Sequence, residues 1–123
     1  MNKPVRVILI GEAEKEFKRL NEIIGLQIQH EKESTEEMQL LKSIKQKIEF
    51  IKLNPFYGDN IQKHLIPKEY IEKYNVSNLF RTELSGFWRM IYTIKGNQAE
   101  IINFILEIID HPTYDKKFGY KKK

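Results

Sequence analysis

Two arginines, Arg81 and Arg89, stand on either side of the tripeptide Ser85-Gly86-Phe87, and a later segment supplies His111, Tyr114, Lys116 and Lys117. Guanidinium groups stay charged at any physiological pH and can clamp a phosphate through paired hydrogen bonds. A histidine gains or loses a proton near neutrality. A tyrosine offers a hydroxyl to orient a reacting group, or a ring on which an unstacked base can lie. Each residue also has an ordinary structural reading. Arg81 and Arg89 can form a surface ion pair with Glu83, which contributes little stability. His111 can hold a turn, Tyr114 can pack over a sheet edge, and His30 and His64 lack any partner spacing. Asp110, His111 and Asp115 are ligand types without a convincing ligand spacing, so neither a metal site nor a cofactor is expected.

The elements that must position these residues can be read along the chain. Pro4 to Ile10 is rich in valine and isoleucine and reads as a strand. Ala13, Phe17, Leu20 and Ile24 then recur at helical spacing, with Glu12 and Glu14 at the favourable end of the dipole and Gly25 as the expected stop. Ser34 and Glu37 have capping-box spacing for a second helix, whose stripe is Leu41, Ile44, Ile48 and Ile51 and which Asn54-Pro55 ends. The two helices are expected to form an antiparallel hairpin. Residues 55–76 form an irregular stretch without a legible pattern.

From Asn78 to Ile94 the chain reads as a β-hairpin, and side-chain alternation selects the turn length. A three-residue loop at Ser85, Gly86 and Phe87 puts Phe80, Thr82, Leu84, Trp88, Met90, Tyr92 and Ile94 on one face, with Arg81, Glu83 and Arg89 on the other. A two-residue loop would mix apolar and cationic groups on both faces. After a turn at Gly96-Asn97, the run Glu100 to Ile109 is almost continuously apolar, as in a central strand buried on both faces. The expected fold is α+β, in the order β-α-α-β-β-β. A helical hairpin packs on one face of a mostly antiparallel four-stranded sheet, and the other face is left for function.

Length and composition set outer limits. The 123 residues suit a single domain, 1–123, large enough to bury a core without staples. There is no cysteine, which excludes disulfides, a thiolate nucleophile and cysteine-ligated zinc and fits a cytoplasmic protein. No stretch approaches the roughly 18 apolar residues of a membrane span, and Met1 to Ile10 is short for a signal peptide. The net charge of +4 is modest, but residues 116–123 hold five lysines and no acid, a basic tail suited to phosphates or to an acidic partner.

The order of elements, with the string Arg81-Thr82-Glu83-Leu84-Ser85-Gly86-Phe87-Trp88-Arg89-Met90-Ile91-Tyr92, resembles the RelE/ParE superfamily of toxins from type II toxin-antitoxin systems. Arg89 matches that family's catalytic arginine in an Arg-x-x-Tyr strand, and Arg81 matches a basic position that contacts RNA. The segment His111-Pro-Thr-Tyr114, followed by Lys116, Lys117 and Phe118, is similar to the terminal cluster that carries a catalytic tyrosine. The resemblance implies a RelE-like, metal-independent endoribonuclease that cuts mRNA on the ribosome. Arg81, Arg89, His111 and Tyr114 would be catalytic, Lys116 and Lys117 would bind RNA, and a cognate RelB-like antitoxin would be a partner. Glu83 and the modest charge leave a second reading open, a ParE-like or degenerate toxin that binds a protein target or only its antitoxin.

Overall fold

The computed structural model describes residues 3–119. It is α+β. β1 (Val5–Leu9) is followed by α1 (Gly11–Gln29) and α2 (Glu36–Leu53), then by the short β2 (Asp59–Asn60) and α3 (Lys68–Tyr74). β3 (Phe80–Glu83), β4 (Arg89–Gly96), β5 (Ile101–Ile109) and α4 (His111–Phe118) complete the order. The sheet runs β1-β5-β4-β3-β2, with β1 parallel to β5 and the other neighbours antiparallel. The expected four strands are therefore five, in a mixed sheet. The addition is a two-residue edge strand pairing Asp59 with Arg81 and Asn60 with Phe80, too short to carry a periodic signal.

The hairpin has the register that alternation selects. Glu83 lies opposite Arg89, Thr82 opposite Met90 and Phe80 opposite Tyr92, and Leu84 N–H donates to the Trp88 carbonyl at 2.8 Å to close a three-residue loop. Phe80, Leu84, Met90 and Tyr92 pack with Leu20, Ile44 and Ile51 beneath the helical hairpin, and Trp88 lies partly buried against them. β5, between β1 and β4, is central as expected.

Three further expectations need correction. α1 runs through Gly25 to Gln29, because an isolated glycine costs about 1 kcal/mol in a helix without ending it. α2 is capped by Thr35 rather than Ser34, its side chain accepting from Met38 N–H at 3.1 Å. The sheet face opposite the helical hairpin is not left open. Tyr70 of α3 and Tyr114 of α4 join Leu79, Ile91 and Leu106 in a second core there. Residues 120–123 of the basic tail lie outside the described residues.

The stretch 55–58 is clamped against the sheet. The Gly58 N–H donates to the Tyr92 hydroxyl at 2.8 Å, and Asn103 Nδ2 donates to the Pro55 carbonyl at 3.1 Å. Burial pushes the Tyr92 phenol above its usual range, partly offset by the bond from Gly58, so it stays protonated. A Cβ at Gly58 would lie 2.5 Å from the Arg81 carbonyl oxygen and 2.8 Å from the Tyr92 hydroxyl. Backbone rather than a flexible side chain forms the closer contact. Gly58→Ala should therefore cost about 1–3 kcal/mol through overpacking. Urea unfolding followed by Trp88 fluorescence measures this, and an unchanged midpoint would contradict the close approach.

Candidate functional site

β3 and β4 carry Arg81 and Arg89 on the face away from the helical hairpin, and α4 lays Tyr114 over both. Arg81 Nη1 donates to the Tyr114 hydroxyl. The guanidinium carbons of Arg81 and Arg89 lie 5.6 and 5.0 Å from the Tyr114 ring centroid, within cation–π range. Asp59 on the edge strand places a carboxylate oxygen 3.6 Å from Arg81 Nε. Arg89 Nη1 donates to the Phe87 carbonyl at 2.7 Å, while its buried Nε has no hydrogen-bond partner among the described residues. A cavity of about 210 Å³ opens beside this group, lined in part by Gln62, Leu65, Arg81, Tyr114 and Phe118.

Local sequence explains why α4 forms and where it points. Asp110 caps it, accepting from Thr113 N–H at 3.0 Å, Pro112 occupies the first turn, and Gly119 ends it in the left-handed region at φ 72°. Tyr114 and Phe118, four apart, share one face and stack with centroids 4.4 Å apart. That face is buried, and Tyr114 is only 1% exposed. Tyr114 therefore packs within the second core and not at the sheet edge. In this conformation its ring is core and its hydroxyl is bonded to Arg81.

His111 sits at the outer end of α4, exposed. Its Nε2 lies 3.2 Å from Asp115 Oδ2, and its ring is 6.3 Å from that of Phe87. Arg81, Arg89 and Tyr114 thus form one contact group, with His111 at its margin. The two lysines separate. Lys116 is exposed on the last turn of α4. Lys117 bridges Glu69 of α3 at 3.0 Å and Glu107 of β5 at 3.3 Å. Burial would lower the Lys117 pKa, but the hydrogen bond to Glu69 and the charge of Glu107 outweigh it and hold the ammonium above its usual range. Glu107, itself buried, also accepts from the Tyr70 hydroxyl. Burial first and Glu107 second raise that phenol's pKa. This network fastens α4 to α3 and to the central strand.

Several of these residues escape a reading of the sequence. Glu107, a lone acid in an apolar strand, is the one with a usable signal, because a buried carboxylate needs a cation or donors. Asp59 and Phe87 acquire their places only through tertiary pairing and turn geometry. Among the described residues no group of three or more His, Asp or Glu side chains is placed to hold a metal ion, and no helix is long and apolar enough to cross a membrane. Compared with protein-family models, curated proteins and solved structures, the chain finds no match.

The cap at Asp110 gives a pH test of how α4 is held. Hydrogen bonds from Thr113, from its side chain first and its backbone second, keep the Asp110 carboxyl below its usual range. A carboxylate with a depressed folded pKa adds stability above its unfolded value, near 3.9, and loses it as pH falls through the folded value. Asp110→Ala should cost about 1 kcal/mol at pH 7, and the gap to wild type should narrow as the pH drops below about 4. Thermal melts across pH 3–7 measure this, and a gap independent of pH would contradict it.

Proposed function

We propose that this chain is a RelE-like toxin of a type II toxin-antitoxin pair, a metal-independent endoribonuclease that cuts mRNA on the ribosome. The observation that carries the reading is the convergence of Arg81 and Arg89 on Tyr114. Cleavage without a metal needs a base for the 2′-hydroxyl, cations at the pentavalent phosphorus and an acid for the departing 5′-oxygen. Arg81 and Arg89 supply charge at one place. Arg89 Nε, buried and without a partner among the described residues, is a donor suited to a phosphate oxygen. Tyr114 and His111 are the proton-handling candidates, and exposed Lys116 suits a flanking phosphate. Lys117, the other lysine proposed for RNA, bridges Glu69 and Glu107 in this conformation and would meet a phosphate once that bridge opens. The proposed partners are the ribosome, its mRNA and an acidic RelB-like antitoxin, in the cytoplasm. Exposed Leu53 and Phe56 at the end of α2 offer that antitoxin apolar anchors.

One observation favours the second reading, a ParE-like or degenerate toxin that binds a protein target or its antitoxin without cleavage. The Tyr114 hydroxyl is occupied by Arg81 and its ring is enclosed. For cleavage, α4 must shift on the ribosome so that RNA replaces Arg81 at that hydroxyl. The two readings separate in an assay of mRNA cut on programmed ribosomes. Arg89→Ala should slow cleavage by about 10²-fold or more, and Tyr114→Phe should also cause a sharp loss. Circular dichroism should remain that of the folded chain. His111→Gln should have a smaller or comparable effect on the rate. A folded wild-type protein that cuts nothing, while inhibiting gyrase or no target, would favour the binding reading.

A further inference from the structure

Phe87, at the tip of the β3–β4 hairpin, is 76% exposed and has φ 64°, a left-handed conformation that is a marked outlier for a bulky residue. Gly86 before it has φ 66°, where glycine is at ease. The turn is held from several sides. Ser85 N–H donates to Ser43 Oγ of α2 at 3.2 Å, and Trp88 N–H donates to the Ser85 carbonyl at 3.3 Å. Arg89 holds the Phe87 carbonyl itself at 2.7 Å. A fixed, strained backbone thus presents an aromatic ring to solvent, beside the arginine group and 6.3 Å from the His111 ring. Burial and relaxation of strain would both favour another arrangement, and such outliers cluster at binding sites.

We propose that Phe87 is a base-stacking platform, whose ring takes the face of one unpaired RNA nucleobase while Arg89 meets a phosphate beside it. This rests on the ribonuclease reading and adds to it a residue that positions the substrate. Unpaired bases are commonly held on aromatic rings. The neighbours favour RNA over an apolar protein surface. The ring contact is with an ionisable imidazole, and the carbonyl is tied to a guanidinium that can also serve a phosphate.

The test uses ribosomes programmed with mRNAs in which each nucleotide of the cleaved codon is replaced in turn by an abasic one. Phe87→Ala should slow cleavage of unmodified mRNA about tenfold, the scale of one lost stacking contact, while Phe87→Tyr retains the rate. At one codon position the abasic nucleotide should slow the wild type to the Phe87→Ala rate and slow Phe87→Ala no further. Phe87→Gly, which accepts the positive φ, should melt higher than wild type yet show the same loss of rate, separating the contact from folding. Additive losses at every position would overturn the proposal. So would a Phe87→Ala rate equal to wild type, including the case where that variant loses only a protein partner, which would assign the ring to protein docking. A wild-type protein that leaves every mRNA uncut overturns the ribonuclease reading and this inference with it. A wild type that cuts, beside a Phe87→Ala that cuts equally, overturns this inference alone.

Discussion

Two guanidinium groups on neighbouring strands repel one another, and the Tyr114 ring between α4 and the sheet is what makes their proximity tolerable. The face of an aromatic ring carries partial negative charge, so both cations gain by lying against it. The carboxylate of Asp59 offsets part of the charge of Arg81 from the edge strand. Arg81 reaches the hydroxyl and Arg89 the ring, so the contact joins the hairpin to the C-terminal helix. The placement of α4 follows from that contact and from the Lys117 bridge, while the Asp110 cap fixes where the helix begins. Removing Lys117 would leave Glu107 buried without its cation, which costs far more than loss of a surface pair.

The same arrangement bears on the proposed chemistry. Transesterification moves the 2′-oxygen onto phosphorus and releases the 5′-oxygen, with one proton removed at the first and one supplied at the second. Fixed charge near the phosphorus is most effective where water is excluded, and both arginines are half-buried beside α4. Under the proposed function α4 would have to yield for RNA to reach Tyr114, and the Lys117 bridge would then bear on access as well as on stability.

Much of the fold was legible because the strands and long helices carry strong patterns. Alternation along Phe80 to Ile94 selected the hairpin loop and thereby placed Arg81 and Arg89 together on one face. The helix stripes followed from periodicity in the same way, and the doubly buried β5 from its almost unbroken apolar run. Where the pattern is short, the reading ended. β2 spans two residues, α3 and α4 only a turn or two, and their positions come from tertiary pairing with β3 and with the second core. The burial of Tyr114 had a local trace in its spacing from Phe118, between the Asp110 cap and Gly119. Its contact with two distant arginines had none. Nor does composition reveal that Phe87 takes a left-handed backbone, since that follows from the closure of the loop.

The central claim is that these residues cleave RNA through its own 2′-hydroxyl, and the ends of the product fragments test it most directly. Messenger RNA cut by the full-length protein on programmed ribosomes should carry a 2′,3′-cyclic phosphate, or the phosphate formed by opening it, on the upstream fragment and a 5′-hydroxyl on the downstream one. Fragments bearing a 3′-hydroxyl and a 5′-phosphate, or no fragments at all from a folded protein, would contradict the account.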